Sequence, residues 1–166
     1  MISIEFDATD VAKLAAAMEQ SPEIVEDELG RFMRAATMHL QAEVQERTPT
    51  THGTLRASVI GDVRVLPGIG IEGVVGTSLA YAVPVELGSG PHMPPVEPLV
   101  EWAKQKLGVR GKEAESAAWG IAKAIAKRGT LGVGMFHRAL AANRQQLLEQ
   151  FGECVRRITT RIGTIQ

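Results

Sequence analysis

The residues able to do chemistry are scattered along this chain, and their spacing decides what each can do. Glu97 and Glu101 stand one helical turn apart with His92 just upstream, the side chains that acid–base hydrolysis uses. Such a site needs the intervening loop to close over the carboxylates. Otherwise the pair reads as the solvated first turn of a helix beside a proline loop. Gly68-Ile69-Gly70-Ile71-Glu72-Gly73 spells G-x-G-x-x-G, which cradles a dinucleotide only where a strand leads into a helix. Here the strand-like Val74-Val75-Gly76 follows, so a hairpin turn is expected. Gly111-Lys112 precedes Glu113, where a phosphate loop needs Ser or Thr. His39, His52, His92 and His137 form neither H-E-x-x-H nor a zinc-spaced cluster. Cys154, the only cysteine, leaves no intrachain disulfide to form and reads as a buried structural thiol beside Val155 and Ile158. With no nucleophile in a recognisable frame, the chain reads as a non-enzyme with no catalytic, cofactor-binding or metal-binding residues.

Charge is distributed unevenly. The net formal charge is −1, but residues 1–50 carry −6, residues 51–100 carry −2 and residues 101–166 carry +7. Such a split suits nucleic-acid binding, or copies of one protein meeting acidic face to basic face. Arg138, Arg144, Arg156, Arg157 and Arg161 decorate the last segment. Phosphate contact is open to them, but sparse aromatics argue against base reading. The start of the chain lacks the basic and apolar regions of a signal peptide, and no apolar run is long enough to cross a membrane. The expectation is a soluble protein made inside a cell.

These side chains must be positioned by ordinary elements. The 166 residues suit one domain, 45% hydrophobic and 4% aromatic, with a core built from aliphatic residues and alanine. Ile2 to Phe6 alternate like a short strand. Val11, Leu14, Ala15 and Met18 keep helical spacing. Ser21-Pro22 opens a second helix, with Glu23, Glu26, Asp27 and Glu28 crowding its positive end. Val25, Leu29, Phe32, Met33, Ala36, Leu40 and Val44 form its apolar stripe. It runs to about Arg47, roughly 39 Å at 1.5 Å per residue. Residues 48–53 are a turn. Residues 55–65 and 71–77 read as a β-hairpin, residues 81–87 as helical turn or strand, and residues 88–98 as an irregular loop with four prolines. Helices are expected over residues 98–107 and 112–128, closed by Gly108 and Gly129. A long last helix starts at Met135, with Phe136, Leu140, Leu147, Phe151, Val155, Ile158 and Ile162 inward. The class is α+β: a small antiparallel sheet packed by long helices, with a helical C-terminal third.

Three stretches, in order after the long helix, carry a resemblance. They are Thr48-Pro49-Thr50-Thr51-His52-Gly53-Thr54-Leu55-Arg56-Ala57-Ser58-Val59, then Gly76-Thr77-Ser78-Leu79-Ala80-Tyr81-Ala82-Val83-Pro84-Val85-Glu86-Leu87-Gly88, then Gly129-Thr130-Leu131-Gly132-Val133-Gly134-Met135-Phe136-His137-Arg138-Ala139-Leu140. Together they resemble the tail-component, or tail-completion, family of long-tailed bacteriophages and prophages. Residues 91–128 look like a helical insertion relative to shorter members. The resemblance implies a virion protein assembled in the bacterial cytoplasm. It would form a ring, six-fold by expectation, between head-closure or connector proteins and the tail tube or tail terminator, with DNA passing through the lumen.

Within that reading, Tyr81, Glu86, His92, Pro94, Pro95, Arg138 and Arg144 are the candidate subunit-interface residues. Tyr81 offers rigid contact area with a polar tip, Glu86 a hydrogen-bond acceptor, and the proline loop a stiff docking segment. The competing reading for Tyr81 and Glu86 is local: they pin a turn within one subunit. Competing functions are a tail-terminator ring, a non-specific nucleic-acid binder using the basic last helix, and a hydrolase using Glu97, Glu101 or His92.

Overall fold

A computed structural model of the chain describes residues 8–50, 53–66 and 70–163. The expected strand at residues 2–6, His52, and the hairpin tip at residues 67–69 lie outside the described residues, as do the side chains of Leu14 and Met18. The α+β class holds: long helices accompany a small antiparallel sheet. The described residues fall into two compact units.

The first unit gathers the described residues of Met1–Arg47, Val59–Thr77 and Phe136–Gln166. It holds α1 (Ala8–Gln20), α2 (Pro22–Arg47), the strands β1 (Ile60–Leu66) and β2 (Gly70–Gly76), and nearly all of α7 (Met135–Gly163). Ser21 joins α1 to α2. Its amide donates to the Ala17 carbonyl at 3.0 Å, and its carbonyl accepts from the Ile24 and Val25 amides. It thus caps α2 through its main chain rather than its hydroxyl. The spacing of apolar residues on α2 and α7 puts one stripe of each against the other. Val25, Phe32 and Ala36 meet Leu147, Phe151, Val155, Ile158 and Ile162 in one core. Each large buried side chain there contributes roughly 1.5–3 kcal/mol. Phe32 and Phe151 pack with ring centroids 5.6 Å apart, tilted by 57°. Glu28 contacts Arg157 while His39 contacts Asn143, so the two helices run antiparallel.

The hairpin lies across α2 at two residues that lack side chains. A Cβ on Gly61 would stand 2.6 Å from Thr37 Cγ2, and one on Gly73 would overlap Thr37 Oγ1. Glycine is what lets the ribbon come this close to the helix. The α2 side chains also close the start of the β1 edge: Gln41 Oε1 accepts from the Gly61 amide at 2.9 Å, and Gln45 Nε2 donates to the Val59 carbonyl at 2.9 Å. The register runs from Ile60 opposite Gly76 to Leu66 opposite Gly70. The first strand is therefore shorter than its apolar pattern suggested. Residues 54–58 instead wind into α3 (Thr54–Ser58). Leu55 and Val59, both buried, are four apart, a spacing that serves a helical turn as well as a strand.

The second unit gathers the described residues of Thr48–Ser58 and Ser78–Met135. Besides α3 it holds α4 (Ala82–Leu87), β3 (Gly88–Ser89), α5 (Val96–Leu107), α6 (Gly111–Arg128) and β4 (Thr130–Leu131). The ambiguous stretch before Gly88 is thus helical. The proline loop is shorter than expected, because β3 takes its first residues and α5 its last. Pro98 sits in the first turn of α5, where a missing N–H costs nothing. Gly108, at φ +71, ends α5 in the left-handed conformation. The buried residues of the α5–α6 pair are alanines: Ala103, Ala114, Ala118 and Ala122. Small residues bring the two helix backbones close, while Leu99, Ile121 and Ile125 are only half-buried. Trp102, Leu107 and Trp119 are all exposed.

Candidate functional site

Two of the three motif stretches meet in the second unit. The residues around Gly88 run antiparallel to those around Leu131, with Gly88 opposite Leu131 and Ser89 opposite Thr130. The Val85 carbonyl accepts from the Val133 amide at 2.8 Å, and the Glu86 carbonyl from the Gly134 amide at 3.0 Å. Thr130 Oγ1 accepts from the Ser89 amide at 3.1 Å and lies 2.9 Å from Ser89 Oγ. The crossing is so close that three positions admit no side chain. A Cβ on Gly88 would overlap the Thr130 carbonyl oxygen, one on Gly129 that of Ser89, and one on Gly132 that of Glu86. Gly88 and Gly129 also hold φ of +84 and +73, which glycine adopts without strain.

This crossing presents apolar side chains to solvent. Leu131 is 97% exposed and Leu87, next to Gly88, is 76% exposed. Val83 lies one turn before Leu87 on α4 and is also exposed. Such residues, held on a rigid backbone, suit a contact surface better than a reaction centre. No sequence pattern marks them, because an exposed leucine in a glycine-rich stretch has no periodicity of its own.

The expected interface residues fall around this crossing and elsewhere. Tyr81 is the N-cap of α4 and is exposed; Glu86 is half-buried in the same helix. His92 is exposed, with Nδ1 3.0 Å from the Gly90 carbonyl oxygen and 3.4 Å from Ser89 Oγ. Pro94 is half-buried, and the exposed Pro95 is the N-cap of α5. Arg138 and Arg144 are exposed on α7, in the first unit. The hydrolytic trio is not gathered. Glu101 pairs with Lys104 at 2.7 Å on the exposed face of α5, while His92 turns to its own loop.

Several carboxylates of the first unit are held by partners. Glu28, buried on α2, receives Arg157 Nε at 3.1 Å and Arg161 Nη1 at 2.7 Å. Arg161 Nη1 also donates to Asp27 at 3.0 Å. The Arg161 hydrogen bond first, and then Arg157, holds the Glu28 carboxyl below its ordinary range; Arg161 likewise lowers Asp27. Farther along, Asn143 Nδ2 donates to Glu43 Oε2 at 2.6 Å, and Arg47 donates to the same oxygen at 2.7 Å. Asn143 and then Arg47 lower that carboxyl too. Carboxylates held ionised in this way are poor proton donors at neutral pH. Burial pushes the Cys154 thiol up, away from the thiolate a nucleophile requires. Among the described residues, no three His, Cys, Asp or Glu side chains are grouped to hold a metal ion. No described helix is long and apolar enough to cross a membrane.

Residues 12–88 match the family model described as "Bacteriophage HK97-gp10, putative tail-component". The matched stretch runs from α1 through α2 and the hairpin to Gly88, where the glycine crossing begins. No curated protein and no solved structure matches the chain.

Proposed function

We propose that this chain is a structural virion subunit of a long-tailed bacteriophage, acting in tail completion at the head–tail joint. In this reading it assembles as a six-fold ring between the head-closure proteins and the tail tube. The observation that carries it is the tail-component match over residues 12–88. The exposed apolar side chains at the Gly88–Leu131 crossing support it, because a contact surface is what a ring subunit needs. Tyr81, Glu86, His92, Pro94 and Pro95 lie in the same unit as that crossing and serve as its polar and stiff surroundings. Arg138 and Arg144, exposed on α7, are available to a neighbouring subunit or to DNA in the lumen.

Electron microscopy of lysates from a phage lacking the gene tests this proposal. Filled heads beside separate, finished tails are the expected result. Normally joined virions would overturn it. Joined particles with tails of uncontrolled length would move the protein to the tail-terminator ring.

A further inference from the structure

Besides scattered charges such as Arg138 and Arg144, two groups of charges that the chain does not use on itself stand together. Part of the acidic–basic split is spent internally, with Asp27 and Glu28 taken up by Arg157 and Arg161. At the α1–α2 corner, Glu19, Glu23 and Glu26 are exposed, and among the described residues they have no ion-pair partner. The dipole of α2 accounts for Glu23. It does not account for Glu19, which sits in the last turn of α1, where a carboxylate is disfavoured. The same helix is apolar outward as well as inward: Ala17 is buried, yet Val11, Ala12, Ala15 and Ala16 are exposed. Apolar residues on the outward side of a helix leave that side open to a partner.

The second unit carries the opposite surface. Lys123, Lys127 and Arg128 are exposed at the end of α6, and among the described residues no acid pairs with them. Leu131 follows three residues later, next to the crossing that also exposes Leu87 and Val83. We infer that a second copy of the chain joins these two surfaces. The basic, leucine-tipped edge of one subunit seats on the outward face of α1 and the acidic corner of the next. Three bases meet three acids, and apolar side chains meet apolar side chains. The two surfaces differ, so the contact is head-to-tail, the kind that closes into a ring or extends into a filament. This inference rests on the ring reading above and supplies its contact.

The test places cysteines at Ala16→Cys and Arg128→Cys, singly and together, in phage particles treated with a short bismaleimide. Buried Cys154 provides the background control. The double variant is expected to give a ladder of linked oligomers ending at the closed ring, and each single variant none. Protein present in particles without a ladder would overturn the inference and leave the tail reading standing. Dimers from a single variant would also overturn it, because they signal a two-fold contact. Protein missing from particles would sink the tail reading; the same reagent on the concentrated purified protein then decides the contact, and no ladder there overturns it. As a second measurement, reversing Glu19, Glu23 and Glu26 to Lys is expected to lower titre at least tenfold. Adding Glu at positions 123, 127 and 128 restores it, and failure to restore counts against the pairing.

Discussion

Arg157 Nε donates to Glu28 Oε2 at 3.1 Å, tying together residues 129 positions apart in the chain. The carboxylate is buried while its arginine partners remain about half exposed. The pair therefore fixes the register of α2 against α7 more than it adds net energy. Glu28→Gln leaves Arg157 without its anion and Arg161 with Asp27 alone, and should cost roughly 1–2 kcal/mol at pH 7. Urea unfolding of the two proteins checks this, and equal midpoints would contradict it.

Acid should erase that difference. The folded carboxyls of Glu28 and Asp27 are lowered, with Arg161 the leading cause. Their stabilisation is complete above the ordinary Glu and Asp values of about 4.3 and 3.9. It is lost as pH falls through the lowered folded values. The gap between the parent protein and Glu28→Gln should hold from pH 7 to about pH 5 and shrink below pH 4. A gap that widened in acid would contradict the assignment.

The glycine crossing should tolerate no side chain. Gly129→Ala combines a backbone conformation reserved for glycine with overlap on the Ser89 carbonyl. A loss of roughly 2–4 kcal/mol is expected. Gly90→Ala, at a neighbouring glycine whose Cβ would meet nothing within 4 Å, should change stability by no more than about 0.5 kcal/mol. Thermal melts of the two variants compare them directly.

Phe151→Ala removes one ring of the Phe32–Phe151 pair from the core and should destabilise the protein by about 3–5 kcal/mol. Calorimetry reads this as a large drop in Tm. An unchanged Tm would mean that the α2–α7 seam is not the core of its unit.

Leu131→Asp should separate folding from assembly. At 97% exposure, the leucine contributes little to the fold, and the melt should move by less than about 0.5 kcal/mol. As an anchor of the proposed ring contact it would carry about 2 kcal/mol, so the proposed association should weaken roughly 30-fold. The measurement is the amount of this protein in purified particles. Full incorporation would remove Leu131 from the interface.

Local rules made the long elements legible. The stripe from Val25 to Val44 and the one from Leu147 to Ile162 name the inward faces of α2 and α7 correctly, because a helix needs only a period of 3.6 to declare its face. Gly108 and Gly129 marked helix ends for the same local reason. The β-hairpin was visible as two Val- and Ile-rich runs. Its true start, at Ile60, is hidden in the sequence, because Leu55 and Val59 fit either period.

Local sequence was enough for the α+β class, for the ends of α2, and for a motif order that resembles the phage tail-component family, whose model matches residues 12–88. That Gly88, Gly129 and Gly132 are required by one backbone crossing follows from the folded chain alone. The same holds for the use of Glu28 on Arg157 and Arg161, and for the exposure of Leu131 while alanines fill the α5–α6 seam. Each depends on residues far apart in the chain, and proximity across 40 to 130 residues follows from packing, which no local period encodes.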